Sequence, residues 1–428
     1  MAGIVKIYTQ SKKRWVRFIC SNKLRKKYAT RAFIKRVKLK KEKGDPITVV
    51  FVCHEPAFWN SFESIYYAML DDPSFSPIII TMPYKHPHFT NGKFKDAGVF
   101  EFLEKQGISA IRGYNRTSKK WLNPKILHPD YLFFQTPYPF FPLKWGIDAI
   151  SLLARVCYVP YGMAIFTGSV GTISKPISFL KKLRFFFLTN PFEKEIIQGF
   201  FKDENWFDDQ IMKMTGYPNM DYFLKPPPLD FNIWRHGEDQ TRKRIVWSPR
   251  WNTYENTCHF FDYKDFFATQ YADSTNIDFV FRPHPLCFQN FLKTGELTLD
   301  ALQKMRALYK NSTNMNIDET GDYRAIFQTC DLFISDISSM LPEFFATGKP
   351  IIYTHRVDHF NVLGKALAKG FYWVRNEKEL KETLNMLLAG KDPLKEIRKK
   401  IIKEVLFLPK EGAGHKIMET LRSDYNQV

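Results

Sequence analysis

The stretch LFISDISSMLPEFFATGKPIIY (332–353) decides the fold. Its first residues, LFISD (332–336), are a short apolar run that reads as a buried strand. Ser338 to Thr347 reads as a helix closed by Gly348. PIIYT (350–354) is apolar again and reads as a second strand. A strand, a helix and another strand in close succession form the unit of a parallel α/β sheet.

The same alternation continues on both sides. Upstream lie RIVWSP (244–249) and DFVFRPHP (278–285), with helices expected at Tyr263–Tyr271 and Leu297–Tyr309. Downstream lie FYWV (371–374) and helices at Lys378–Leu388 and Pro393–Val405. Before Pro226, Pro227 and Pro228, a stiff linker signal, there is a second set of strands. It comprises ITVVFVC (47–53), PIIIT (77–81), YLFFQ (131–135) and VCYVP (156–160), with helices at Asn60–Leu70 and 98–107. Two successive α/β halves predict two Rossmann-like domains facing a cleft. The boundaries are 1–46 for a basic arm, 47–224 for the first Rossmann-like domain and 225–405 for the second. Residues 406–428 read as a helix, and whether it crosses back to the first domain is left open.

Charge is concentrated at one end. The chain carries a net +19, and residues 1–46 hold 16 Lys/Arg against Glu42 and Asp45, so this segment supplies +14. Trp15, Phe18, Ile19, Leu24, Tyr28, Phe33 and Ile34 are interleaved with those cations. That mixture suits an amphipathic helix on anionic lipid. A solvated arm for nucleic acid is the alternative, but no RNA-binding signature follows. KPISFLKKLRFFFLTNPF (175–192) is a second membrane candidate, with a buried helix bearing a cationic edge as its rival. No apolar run reaches transmembrane length, and no secretory layout opens the chain. The six cysteines form no CxxC pair, which predicts a reducing, cytoplasmic setting.

The chemistry-bearing residues cluster at strand ends. Arg282 and His284 leave a strand into a loop fixed by two prolines. Arg can grip phosphate oxygens bidentately, and His can bond a diphosphate or donate a proton. Ser338 and Ser339 at an expected helix start offer hydroxyls and backbone N–H groups to a phosphate, although N-capping by Asp336 or Ser338 explains them as well. Arg250 follows another strand and is equally suited to a phosphate or a surface ion pair. In the first half, His54 and Glu55 follow the first strand and are candidate bases, and Tyr161-Gly162 follows VCYVP. GxGxxG, GxxxxGK[ST] and HExxH are absent, which argues against dinucleotide, P-loop and zincin chemistry. His86-Pro87-His88 lacks an acidic partner, so no metal site is expected.

RPHP (282–285), SDISSMLPEFFATGKPIIY (335–353) and GYPNMDYF (216–223) resemble the CDP-glycerol glycerophosphotransferase family of teichoic-acid and capsule enzymes. The resemblance is specific over 216–353, weaker over 47–215 and absent over 1–46. It implies a GT-B enzyme bound peripherally to the inner face of the cell membrane. Such an enzyme moves a polyol phosphate from a CDP-activated donor to a hydroxyl of a lipid-linked glycan and releases CMP. No further cofactor and no nucleic acid are implied. Arg282 and His284 would meet the donor diphosphate, Ser338 and Ser339 would bind phosphate, and Asp336 would shape their loop. The family's His-Gly pair in the first domain is here Tyr161-Gly162. A phenol of pKa about 10 is a poor base at neutral pH, so His54 or Glu55 takes that role or the transferred group differs. A nucleotide-sugar glycosyltransferase of the same fold is the first rival reading. A non-enzymatic membrane or nucleic-acid binder is the second.

Overall fold

The computed structural model describes residues 24, 27–86, 90, 92–167, 177–201, 209–224, 226–253, 257–354 and 358–428. Two parallel sheets organise them. The first contains β1 (Ile47–Cys53), β2 (Phe75–Thr81), β3 (Ile111–Arg112), β4 (Tyr131–Phe134), β5 (Arg155–Tyr158), β6 (Leu183–Leu188) and β7 (Met212–Met214). Their order is β3-β2-β1-β4-β5-β6-β7, and every neighbouring pair is parallel. The second contains β8 (Lys243–Ser248), β9 (Ile277–Phe281), β10 (Met315–Ile317), β11 (Leu332–Ser335), β12 (Ile351–Tyr353) and β13 (Phe371–Trp373). Its order is β10-β9-β8-β11-β12-β13, again all parallel. The GT-B-type pair of Rossmann-like sheets expected from the sequence is therefore present.

Burial on both sheet faces explains why these strands read as unbroken apolar runs. On β1, Val49, Phe51 and Cys53 enter one core and Val50 and Val52 the opposite one. On β8, Ile245 and Trp247 face one layer and Val246 the other. In each sheet the strand order reverses once, between β1 and β4 and between β8 and β11. The crevice beyond the strand ends at such a reversal is where open α/β sheets bind ligands.

The structure corrects the reading of the basic arm. Residues 1–23 and 25–26 lie outside the described residues. Residues 27–43 form a helix, but its apolar stripe faces the protein. Phe33 and Val37 are buried in the first core, worth roughly 1.5–3 kcal/mol each. Arg36 and Lys40 bind the fully buried Asp130 carboxylate at 2.9 and 2.7 Å. Detaching this helix onto a bilayer would strand that buried charge, a large penalty. Lipid can meet only its outer face, where Lys27, Tyr28, Arg31 and Lys35 are exposed.

The 175–192 segment is corrected too. Its described part is a short helix, Ile177–Leu180, followed by β6, an inner strand whose Phe185, Phe186, Phe187 and Leu188 are all buried. It is neither a membrane-inserting helix nor a single buried one.

The halves are joined by named contacts. Asn361 donates its backbone N–H to Ile165 O (2.9 Å) and its amide to Ala164 O (2.7 Å). Arg324 pairs with Glu63 across the interface. The last helix, Ala413–Asn426, leaves the second half and packs on the first, burying Ile417, Met418 and Leu421 in its core. Asp221 caps it through the N–H groups of Ala413 (2.7 Å) and Gly414 (2.8 Å). A Cβ at Gly414 would lie 2.5 Å from the Ser64 backbone, so only glycine permits this approach. The carboxylate of Asp424 accepts from Tyr131 Oη (2.6 Å) and binds Arg155 and Arg184.

Candidate active site

At the reversal of the second sheet, β8 and β11 end side by side. Ser335 Oγ donates to Ser248 O (2.6 Å), closing the crevice floor. Asp336 follows, fully buried, and accepts from the backbone N–H of Arg250 (2.7 Å) and His259 (2.9 Å). One carboxylate thus ties the loops after β8 and β11 and the residues before the next helix. Burial pushes its pKa up, to about 7, against the pull of those N–H groups.

His284 stands beyond the end of β9, beside this crevice. Its ring centre lies 6.0 Å from that of Trp251. Crowding by the surrounding wall and the charge of Arg250 both lower its pKa, to about 4. Nδ1 accepts the N–H of Leu286 (3.1 Å). The neutral ring therefore carries its proton on Nε2, a donor for an anionic oxygen.

Arg282 differs from the sequence expectation. It is buried and its guanidinium is engaged by the Asp318 carboxylate and by Thr320 O (2.9 Å). It braces the loop after β10 beneath His284, so its contribution is to hold the loop. Asp318 directly follows β10, a strand too short and polar to show in the sequence.

Ser338 and Ser339 also differ. The helix begins at Leu341, with Pro342 in its first turn, and Met340 is its N-cap. The two serines lie in the preceding turn, where Ser338 Oγ accepts the N–H of Met340 (3.2 Å). Ser339 is exposed. Glu343, one turn further on, is buried, and its burial pushes its pKa up to about 8 against hydrogen bonds with Tyr323 and Asn219. The sequence reading passed over it.

The first half presents a second cluster, at the ends of β1, β4 and β5. Gln135 Oε1 accepts the N–H groups of His54 (2.7 Å) and Glu55 (3.1 Å), bridging the reversal. The His54 ring is 1% exposed and enclosed by Phe58, Tyr84, Phe140 and Phe141. Burial lowers its pKa to about 3, which makes it a weak base. Tyr161 packs against Phe58, the ring centres 4.4 Å apart and the planes tilted by 33°. Burial, with the neighbouring Tyr138, raises its pKa to about 12. Gly162 follows in the same bend, with open space around it. Glu55 is half-buried; burial raises its pKa, opposed by a hydrogen bond to Tyr84 and by Lys95. Of the three, only Glu55 shifts toward neutrality. The predicted residues thus fall into two groups, Arg250, His284, Asp336, Ser338 and Ser339 in one half, and His54, Glu55, Tyr161 and Gly162 in the other.

Among the described residues no cluster of three His, Cys, Asp or Glu could hold a metal ion. None of their helices is long and apolar enough to cross a membrane.

No curated protein matches the chain by sequence. Among solved structures, the wall teichoic acid polymerase TagF aligns over 94% of this chain and 98% of its own, at 16% identity and TM-score 0.59. A TagF variant soaked with CDPG aligns over the same shares, at 15% identity and TM-score 0.55. A putative UDP-N-acetylglucosamine 2-epimerase from Listeria monocytogenes covers 90% and 98%, at 12% identity and TM-score 0.59. At these identities the likeness speaks for the fold. The family model described as CDP-Glycerol:Poly(glycerophosphate) glycerophosphotransferase matches residues 177–361. That span contains β8 to β12 with Arg250, His284 and Asp336, and over it the chain is similar to that family.

Proposed function

We propose that the chain transfers a polyol phosphate, glycerol phosphate or a close analogue, from a CDP-activated donor to a hydroxyl of a lipid-linked surface glycan. The observation that carries this reading is the coincidence of the family match with the crevice at the β8/β11 reversal. The donor diphosphate would sit there, against the Nε2–H of His284 and the loop held by Asp336. The acceptor hydroxyl would enter from the β1/β4 side. Its oxygen forms the new bond to phosphorus, the bond from phosphorus to CMP breaks, and the hydroxyl proton passes to a carboxylate. Glu55 is the group suited to receive it, since His54 and Tyr161 have pKa values far from neutrality on opposite sides. CMP leaves as a phosphate whose second pKa is about 6, so its departure needs no acid at pH 7. The enzyme would work at the inner face of the membrane, drawn there by the basic N-terminal segment.

Mass spectrometry of products from CDP-glycerol, other CDP-polyols and UDP-sugars tests the reaction. CMP formation together with a phosphate-linked product supports it. Release of CDP or UDP instead would establish the glycosyltransferase reading. Glu55→Gln should lower kcat at least a hundredfold at pH 7 with donor KM little changed. Unaltered turnover would remove Glu55 from the mechanism.

A further inference from the structure

The two halves meet along a seam that buries a titratable group with no part in the chemistry above. Glu343 lies on the helix Leu341–Ala346, which follows the Ser338–Ser339 turn beside the second-half crevice. Its carboxyl group is hydrogen-bonded to Tyr323 and Asn219. Asn219 Nδ2 also donates to Tyr323 Oη (2.8 Å), and Asn219 is bonded to Tyr217 as well. Tyr217 Oη in turn donates to Tyr161 O (2.9 Å), in the bend that carries Gly162. Tyr217, Asn219 and Glu343 are each at most 2% exposed. One buried file of hydrogen bonds therefore runs from the helix of one half to the bend of the other.

The surroundings of Glu343 suit an uncharged carboxyl group. Among the described residues no ion pair reaches it. Arg324, whose charge is felt by Tyr217 and Tyr323, is held by Glu63 and Asp322. The titratable groups that face Glu343 are those two tyrosines, and burial keeps both protonated. Glu343 Oε2 and Asn219 Oδ1 are buried, each without a partner. A carboxyl proton is the donor that two such acceptors lack. A carboxylate would leave both unpaired and bury a charge with no cation to balance it. Burial accordingly raises the pKa of Glu343 to about 8.

We propose that Glu343 is a positioning residue for the transfer: through Asn219 and Tyr217 its carboxyl group holds the Tyr161–Gly162 bend in register with the donor crevice, so that the acceptor hydroxyl reaches the donor phosphorus. This rests on the transferase reading above and adds to it a residue enclosed at the seam. Glu343 holds the file while it is uncharged. Its ionisation places an unbalanced charge between the halves, which separate to hydrate it. The acceptor KM should then rise as the pH passes through about 8. Asp336 titrates in a nearby range inside the second half, so the comparison that isolates Glu343 is the acceptor KM of wild type against Glu343→Gln.

Kinetics with CDP-glycerol and a water-soluble glycerol phosphate oligomer, from about pH 6.5 to 9.5, test the proposal together with X-ray scattering of the full chain without substrates. In the wild type the acceptor KM should rise about tenfold over that range, the weight of about one buried hydrogen bond, and the radius of gyration should increase. Glu343→Gln, uncharged and of the same shape, should show neither change. Tyr217→Phe breaks only the last link and should raise the acceptor KM about tenfold already at pH 7, with the donor KM unchanged. An alkaline rise in Glu343→Gln equal to that of the wild type overturns the proposal, as does a Tyr217→Phe acceptor KM equal to the wild type's. If the wild type releases no CMP, the transferase reading fails, and scattering still decides the role of Glu343: equal radii for wild type and Glu343→Gln at pH 9 overturn it.

Discussion

His284 should act as a neutral hydrogen-bond donor, and its pH signature distinguishes that role from proton donation. Its pKa lies near 4, so at pH 7 only about one ring in a thousand is protonated. Nδ1 is occupied by the Leu286 N–H, which leaves Nε2–H for the diphosphate. Removing one donor aimed at developing charge costs about 10²–10³ in kcat, or about 2.7–4 kcal/mol. His284→Ala should therefore lose that much CMP release from CDP-glycerol. His284→Gln, whose amide can offer an N–H, should recover at least tenfold of it. The measurement is kcat/KM from pH 5 to 9 for the wild type and both variants. No wild-type limb should fall near pH 6.5 that is absent from His284→Gln. A limb at that pH, abolished by the glutamine, would show an imidazolium at work and refute the reasoning.

Other outcomes follow from buried charge. Asp424→Ala leaves Arg155 and Arg184 without their carboxylate and Tyr131 Oη without its acceptor. The loss should be about 3 kcal/mol in urea unfolding, the low end of the range for breaking buried pairs because Arg184 is partly solvated; a change under about 1 kcal/mol would contradict the geometry. His54 has a folded pKa of about 3 against 6.5 unfolded. Its contribution to stability is whole above pH 6.5 and is lost as the pH falls toward 3, about 2 kcal/mol of it by pH 5. His54→Phe should flatten that part of the stability curve, and an unchanged slope would mean the ring is protonated in place.

Nine of the thirteen strands were legible because strands buried on two faces are largely apolar, as ITVVFVC is, whereas β3, β6, β7 and β10 were not read. The charged segments were harder to place. Whether Phe33 and Val37 face lipid or protein depends on Asp130, about ninety positions away, and nothing local encodes that. LRFFFL looked like a membrane edge because its flanking cations were visible and its neighbouring strands were not. The helix start at Leu341 had a local signal, Pro342, which favours a first turn; the serines before it drew the boundary too early. Arg282 and His284 were both found, but neighbours separated their roles: Asp318 claims the first and Leu286 orients the second.

The returning helix also governs the order in which the molecule can form. Tyr131 and Asp424 are 293 positions apart, yet they share one core with β1. On the ribosome the first sheet must wait, one apolar face uncovered, until residues 413–426 emerge, some tens of seconds at about 5–20 residues per second. Such distant closures slow folding, and the uncovered face invites aggregation in the interval. Expression of this chain should therefore be more sensitive to chaperone supply and growth temperature than the stability of the finished protein would suggest.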